Sequence, residues 1–287
     1  MKKSRELEYA LLASLVSLSQ KLSREKALSF ARALGSIVYH YPRVKRVCEE
    51  NLKFTGFPAS IGKESVKNFF AFGADFFRLP VMTERELSSL FYPPPLSKIP
   101  QGGGILLTAH IGNWELMGAL FSRLSGGKLS VVAKPLKNEK VNGLINSIRS
   151  LWGIKVIPTG RATEIFKDLK RERYVGILLD QRPKVKEGVL TTFLGRKTYT
   201  NRGAALLSIK SGKPVIPAFC FLKEDGRYEI EVYEPIYPQG KSTEELTQLY
   251  TSAIERAVRK HPEQWFWFHR RWKNSPEFKE WQGEKVS

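Results

Sequence analysis

Cysteine, histidine and long uncharged segments are all scarce in this chain of 287 residues. The two cysteines, Cys48 and Cys220, have no paired-ligand spacing, so we expect neither a disulfide framework nor a zinc site, and a reducing compartment fits. Of the four histidines, only His110 has a promising setting, and no second histidine or cysteine is spaced to join it around a metal ion. A phosphate-binding glycine loop and a Gly-x-Ser-x-Gly elbow are also absent. We therefore expect no metal, nucleotide or other cofactor, and no serine hydrolase.

A long apolar segment is also missing near the amino terminus. The uncharged stretch there covers residues 9–20, 12 residues in all. As a helix it would measure about 18 Å, against ~30 Å for the hydrocarbon core of a bilayer, so we expect no full transmembrane span. No small-residue cleavage site follows the basic start of the chain, and a cleavable signal peptide is not expected either.

What the chain has in excess is positive charge. It contains 47 lysines and arginines against 28 aspartates and glutamates, a formal net charge of +19. Such an excess indicates an anionic partner: nucleic acid, acidic lipid headgroups, a phosphorylated substrate or an acidic carrier protein. The 42% hydrophobic content is enough for a substantial buried core, so a folded domain is expected rather than a disordered chain.

The amino-terminal region, residues 1–95, is predicted to be helical. Leucines recur there at helical spacing, as Leu7, Leu11, Leu15, Leu18 and Leu22, and cations follow them. Such a helix can lie in an anionic membrane surface, with Leu11 and Leu15 as contacts, or it can pack on its own domain, as most amphipathic helices do. A phenylalanine-rich helix over residues 63–77 is expected to pack in the core or to line an acyl chain tunnel.

The rest of the chain, residues 96–287, begins after proline and glycine clusters and alternates between short apolar runs and amphipathic stretches. We predict strands at 105–109, 129–133, 156–157, 175–179, 215–221 and 228–233, and helices at 113–124, 141–151, 162–169, 202–210 and 243–259. This alternation favours an α/β fold with a mostly parallel central sheet flanked by helices.

Residues 108–115 hold the best candidate for chemistry. His110 directly follows an apolar strand, and open α/β sheets bind ligands at the carboxyl ends of their strands. Gly112 permits a tight turn, Asn113 is a natural N-cap, and Glu115 falls in the first turn of the next helix. A turn would let the two side chains converge, so that Glu115 orients His110 as a general base. From spacing alone, a surface or packing histidine is the commoner interpretation.

The segment around His110 resembles the His-x4-Asp/Glu block of bacterial acyltransferases, and most closely that of the late lipid A acyltransferases, the lauroyl and myristoyl transferases. Other segments match that family in order: Arg149 before 151–153, the strand 175–181 ending in Asp180 and Gln181, the turn 193–195, the strand 214–217, and the aromatic-basic signature 261–273. Together with Asn51, Leu52 and the amino-terminal helices, these matches cover nearly the whole chain.

The resemblance implies a fatty acyl group moved from an acyl carrier protein thioester to a hydroxyl of a lipid A precursor, at the cytoplasmic face of the inner membrane. It implies His110 and Glu115 as catalytic residues. Arg149, Asp180, Gln181 and Asn113 become candidate substrate-binding residues. Arg149 would clamp an acceptor phosphate, because a guanidinium binds phosphate at two points, and Asp180 would orient Arg149 or an acceptor hydroxyl. Trp272, Arg270, Arg271 and Lys273 become candidate headgroup contacts, as in interfacial belts; for the neighbouring Trp265, packing on the core is favoured.

Two alternatives remain at this point. The same chemistry would serve another acceptor, such as a lysophospholipid or a phosphatidylinositol mannoside. A nucleic-acid-binding protein is suggested only by charge and aromatic content, and no recognition-helix, zinc-finger or RNA-binding motif supports it. We therefore expect a carrier protein, a glycolipid acceptor and an anionic membrane surface as partners, and no nucleic acid.

Overall fold

A six-stranded sheet forms the centre of the protein in the computed structural model, which describes residues 2–283 and the side chains from Ser4 onward. The strands are β1 (Gly104–Thr108), β2 (Leu129–Ala133), β3 (Lys155–Pro158), β4 (Tyr174–Leu178), β5 (Gly188–Phe193), β6 (Arg196–Asn201), β7 (Val215–Leu222) and β8 (Tyr228–Val232). The sheet has the order β3-β2-β4-β1-β7-β8, and only β8 runs antiparallel to its neighbour. The predicted mixed fold with a mostly parallel central sheet is confirmed.

Helices cover both faces of this sheet. They are α1 (Lys2–Lys21), α2 (Arg24–Tyr39), α3 (Pro42–Thr55), α4 (Ser60–Arg78), α5 (Glu84–Ser89), α6 (Trp114–Leu124), α7 (Glu139–Leu151), α8 (Ala162–Lys170), α9 (Gly203–Ser211), α10 (Thr243–Lys260) and α11 (Pro276–Trp281). Ile105 and Leu107 of β1 join the core formed with α8, α9 and α10, whereas Leu106 joins the core formed with α6 and α7. Burial on both faces explains why Ile105, Leu106 and Leu107 are all apolar, without alternation.

The amino-terminal helices are tied to the carboxyl-terminal segment rather than to the sheet alone. The Ser65 hydroxyl donates to the Trp265 carbonyl at 2.5 Å, and the Asn68 amide donates to the Glu263 carbonyl at 2.8 Å. Asn51 of α3 donates to the Trp267 carbonyl at 2.7 Å. These contacts hold α3 and α4 against the segment that follows α10. The predicted division of the chain into two regions near residue 95 stays a prediction.

The leucine stripe of α1 is only partly buried. Leu7 and Leu11 are 62% and 59% exposed, whereas Val16, outside the stripe, is buried at 7%. Among residues 2–283, no helix combines the length and the apolar character needed to cross a bilayer. A membrane-docking role for this region therefore stays a prediction.

A two-stranded hairpin, β5–β6, was not predicted from the sequence beyond the turn at 193–195. Its strands pair from Gly188–Asn201 to Phe193–Arg196, and Leu194 and Gly195 take positive φ in the turn. The hairpin packs on α10, where Gln248 exchanges two hydrogen bonds with the backbone of Thr192 at 2.9 and 3.0 Å. Threonine-rich strands without apolar alternation give little signal in the sequence.

Candidate active site

His110 lies two residues beyond the carboxyl end of β1, in a turn that is fixed on both sides. The Gly112 amide donates to the Gln264 carbonyl at 3.0 Å, and the Asn113 amide donates to the Cys220 carbonyl at 3.1 Å. Gly112 has φ of 55°, and a Cβ there would lie 1.5 Å from the Cys220 carbonyl oxygen. Only glycine fits this close approach, so the turn holds the His110 backbone in one position.

The carboxylate that contacts His110 is Asp180. Its Oδ1 atom lies 2.9 Å from His110 Nδ1, and its Oδ2 atom accepts from the Trp265 indole N–H at 2.9 Å. Burial alone would raise the pKa of this carboxyl, but its interactions with His110 and Trp265 lower the pKa to about 2. Asp180 is therefore ionised near neutral pH, so the Nδ1 atom of His110 carries the proton it donates. The expectation that Asp180 orients Arg149 is wrong, because Asp180 binds these two rings and Arg149 binds Glu115. An acceptor hydroxyl as a partner of Asp180 stays a prediction.

The other imidazole nitrogen of His110 faces the open side of the site. Gln181 places its side-chain amide nitrogen 3.3 Å from His110 Nε2, and the His110 side chain is 23% exposed. In the neutral ring held by Asp180, Nε2 is the hydrogen-bond acceptor. A substrate hydroxyl that replaces the Gln181 amide would lose its proton to this atom. The Asp180 carboxylate would then stabilise the imidazolium, as the acid of a Ser-His-Asp triad does.

Glu115 does not contact His110, contrary to the prediction. Its carboxylate is held by Arg149, with Oε1 at 2.5 Å from Nη2 and Oε2 at 3.0 Å from Nε. Both side chains are 17% exposed. Burial disfavours the charge of Arg149, but the pairing with Glu115 raises the pKa of Arg149 above its ordinary value. This two-point geometry occupies both oxygens of Glu115. The prediction that Glu115 orients His110 is therefore wrong for the described residues, and Arg149 as a phosphate clamp stays a prediction.

Asn113 caps α6 as predicted, because its side-chain oxygen accepts from the Leu116 amide at 3.1 Å. Its amide nitrogen donates to the Phe72 carbonyl at 3.3 Å and to the Tyr228 hydroxyl at 3.2 Å. The residue is 1% exposed. The prediction that Asn113 binds substrate is therefore wrong, because its polar atoms are used inside the protein and are out of reach of a ligand.

The expected headgroup belt near the carboxyl terminus is also corrected by the structure. Trp265, Trp267 and Trp272 are 2%, 0% and 0% exposed, and Arg271 is 1% exposed. Arg271 donates to the Thr200 hydroxyl at 2.7 Å and to the Tyr199 carbonyl, and burial lowers its pKa to about 10. Trp272 and Arg271 hold the β5–β6 hairpin against the core and cannot reach a membrane surface. Arg270 and Lys273 are more accessible, and their contact with headgroups stays a prediction.

His269 is a site residue that the sequence did not single out. Its Nε2 atom accepts from the Arg182 backbone amide at 3.1 Å, and burial lowers its pKa to about 4. The neutral ring thus fixes the segment that begins at Asp180 and Gln181. The only available signal was its place inside the 261–273 signature, since a lone histidine has no spacing to interpret.

The depressed pKa of His269 predicts acid sensitivity in a defined range. The unfolded chain takes up a proton on this ring near its ordinary pKa of about 6.5, whereas the folded chain does so only near pH 4. The contribution of the neutral His269 ring to the free energy of unfolding is complete above pH 6.5. It is lost as the pH falls to about 4, at up to ~1.4 kcal/mol per pH unit. In His269→Gln, whose amide oxygen can still accept from Arg182, urea unfolding between these pH values should show a shallower pH slope. An unchanged slope would contradict the assignment.

Aromatic rings form a half-buried surface beside His110. The rings of Trp114 and Phe266 lie 5.1 and 5.7 Å from the imidazole, centroid to centroid. Phe69 of α4 packs on both, and Phe268 lies 3.8 Å from Phe266. All four rings are partly exposed. The catalytic candidate is thus bordered by a continuous apolar surface, here called the aromatic floor and defined by Phe69, Trp114, Phe266 and Phe268.

Comparison with known proteins gives two findings. A family model described as bacterial lipid A biosynthesis acyltransferase matches residues 2–274. Two curated relatives are each 23% identical over 224 residues, covering 72% of this chain and 69% of the relative. Both are named phosphatidylinositol mannoside acyltransferase, from the CDC 1551 / Oshkosh and the ATCC 25618 / H37Rv strains of Mycobacterium tuberculosis.

Proposed function

Because the chain belongs to the bacterial lipid A biosynthesis acyltransferase family, we propose that it transfers a fatty acyl group from an acyl carrier protein thioester to a hydroxyl of a lipid A precursor. The observation that carries the proposal is the His110–Asp180 pair beside the aromatic floor, in which His110 Nε2 lies 3.3 Å from the Gln181 amide nitrogen and the His110 side chain is 23% exposed. That arrangement provides a base for an alcohol next to a surface for an acyl chain.

The reaction needs only proton transfer and positioning, because a thioester is already activated. His110 Nε2 takes the proton of the acceptor hydroxyl as its oxygen attacks the thioester carbonyl. The resulting imidazolium is stabilised by Asp180, and the tetrahedral intermediate collapses with cleavage of the carbon–sulfur bond. The proton on Nε2 then passes to the leaving thiolate, which restores the neutral ring. General-base assistance of this kind contributes about 10²–10⁴-fold to a rate.

The neighbours of His110 have roles that follow from their contacts. Gln181 lies where the acceptor hydroxyl must approach Nε2, so its amide is suited to hold that oxygen before transfer. The aromatic floor would lie along the acyl chain, since partly exposed aromatic rings gain most from apolar contact. Arg149 keeps its charge while bound to Glu115, and we propose that its guanidinium attracts an anionic part of a substrate.

A membrane surface fits the position of α1. The Asn138 side chain, which caps α7 after the carboxyl end of β2, donates to the Arg5 carbonyl at 2.8 Å and to the Glu8 carboxylate at 2.9 Å. The start of α1, with exposed Leu7 and Leu11, is therefore at the same edge of the sheet as His110. Apolar side chains beside a net charge of +19 are suited to the anionic cytoplasmic face of the inner membrane.

Replacing Leu7 and Leu11 with serine should weaken binding to vesicles of phosphatidylcholine and phosphatidylglycerol, by roughly tenfold per leucine that enters the interface. Co-sedimentation measures the effect. The matched control is Leu124→Ser with Leu151→Ser, two leucines that are 48% and 58% exposed at the opposite edge of the sheet. Equal vesicle binding by the two double variants would contradict docking through α1.

A second acceptor class is favoured by one observation. The two relatives from M. tuberculosis are named for acylation of phosphatidylinositol mannoside. The two candidates are separated by mass spectrometry of the lipids formed when the purified protein meets acyl carrier thioesters with a lipid A precursor, phosphatidylinositol mannosides or lysophospholipids. An acylated lipid A precursor supports the first candidate, an acylated mannoside supports the second, and no acylated lipid with any acceptor contradicts both.

A further inference from the structure

A cationic cavity lies between α3, α11 and the segment that joins α10 to α11. Its volume is about 460 Å³, within the range of sites for small molecules. Arg46, Arg270, Lys273 and Lys279 line it, together with the single carboxylate of Glu50. The ratio of four positive charges to one negative charge is higher than in the whole chain, which has 47 basic and 28 acidic residues. This excess is concentrated around one concave space.

Most of this charge has no protein partner among residues 4–283, the part of the chain whose side chains the structure describes. Within that range, Arg270, Lys273 and Lys279 have no carboxylate oxygen within 4.0 Å, and Arg46 reaches Glu50 only at 3.7 Å. Cations that lack a carboxylate partner and surround one concave space are suited to an anionic ligand. Arginine and lysine together suit a tetrahedral anion, because the guanidinium binds two oxygens and the ammonium adds a point charge.

The cavity is linked to the active site by one segment. Gln181 faces His110 Nε2, and the next residue, Arg182, donates from its guanidinium to the Asn274 side chain at 3.3 Å. Asn274 lines the cavity. The Arg182 backbone amide also binds His269, which directly precedes Arg270. A group held in the cavity would thus lie beside Asn274 and Arg270, which are linked through Arg182 to the segment that carries Gln181.

We infer that this cavity binds a phosphate ester carried by a substrate of the enzyme. The binding of phosphate rests on the four cations around the cavity and on their shortage of carboxylate partners among residues 4–283, and its assignment to a substrate rests on the proposed function. Two sources carry this group: the headgroup of a phosphorylated lipid acceptor, and the phosphopantetheine arm of the acyl donor.

Calorimetric titration of the full chain with inorganic phosphate tests the site directly. The variant Arg270→Gln/Lys273→Gln should weaken phosphate binding at least ~tenfold, since each charge-assisted contact is strong. The control is Arg171→Gln/Lys167→Gln, which removes the same charges from exposed positions on and after α8. Equal phosphate affinity in the two double variants would overturn the inference, as would wild-type binding no stronger than that of chloride at matched ionic strength. If the cavity variant unfolds, Lys273→Gln alone changes an exposed side chain and is expected to weaken binding by several-fold.

The source of the phosphate is then identified by competition. Phosphopantetheine and a short-chain phosphatidylglycerol are each titrated against bound inorganic phosphate. Displacement by phosphopantetheine identifies the acyl donor as the source, and displacement by phosphatidylglycerol identifies the lipid acceptor. Failure of both to displace phosphate overturns the assignment to a substrate. Because no turnover is needed, the outcome is independent of the acceptor assay. Phosphate binding without acyl transfer to any acceptor would contradict the proposed function but not the phosphate site in the cavity.

Discussion

Replacing His110 with asparagine is expected to slow acyl transfer about 10²- to 10⁴-fold, the contribution of a general base. The asparagine amide nitrogen can take the place of imidazole Nδ1 and donate to Asp180, so the buried carboxylate keeps a partner. No basic nitrogen remains at the position of Nε2. The loss should therefore appear in kcat, measured by mass spectrometry of the acylated product, with little change in Tm.

The control for this variant is His40→Asn. His40 is an exposed residue at the end of α2, outside the active site, and its replacement should leave turnover unchanged. His110→Ala is a useful second variant, but it leaves Asp180 buried without its ring partner, which costs stability as well as activity. Near-normal turnover in His110→Asn would show that His110 is not the base.

The second large effect is expected for Asp180→Asn, again a loss of about 10²–10⁴-fold in kcat. The asparagine oxygen can still accept from the Trp265 indole, which turns its amide nitrogen toward His110 Nδ1. Nδ1 must then accept, and the proton moves to Nε2, where it blocks the base. The fold is retained because the side chain keeps its shape and its Trp265 contact.

The tautomer of His110 gives a second measurement for this prediction. It would not change if Asp180 had a purely structural role. Nitrogen-15 NMR of the neutral ring should show the proton on Nδ1 in the wild-type protein and on Nε2 in Asp180→Asn. A variant that kept both its turnover and the Nδ1 proton would show that Asp180 does not direct the imidazole.

The sequence was sufficient for the parts of the site that are local in the chain. His110 at the end of β1, the Asn113 cap and the strand that ends before Asp180 follow from apolar runs and turn residues over a few positions. The partner of His110 is 70 positions away, and only the adjacency of β1 and β4 in the sheet brings it near. Strand order is set by packing of the whole domain, so a nearby Glu115 was the natural but wrong choice.

The carboxyl-terminal signature is ambiguous in the sequence for a related reason. Tryptophan beside arginine is typical both of a membrane interface and of a clamped core segment, and composition does not separate the two. The structure separates them because the unpredicted β5–β6 hairpin supplies the oxygen atoms that bind Arg271. Without that hairpin, a fully buried arginine has no partner and is not expected.

The most direct test of the account is a double-mutant cycle on kcat between His110 and its two candidate carboxylates. If Asp180 acts through the imidazole, Asp180→Asn should cost almost nothing further in a His110→Ala background, whereas Glu115→Gln should lower the rate by the same factor in both backgrounds. The opposite pattern, with Asp180→Asn additive and Glu115→Gln silent once His110 is gone, would contradict the account and make Glu115 the residue that steers the base.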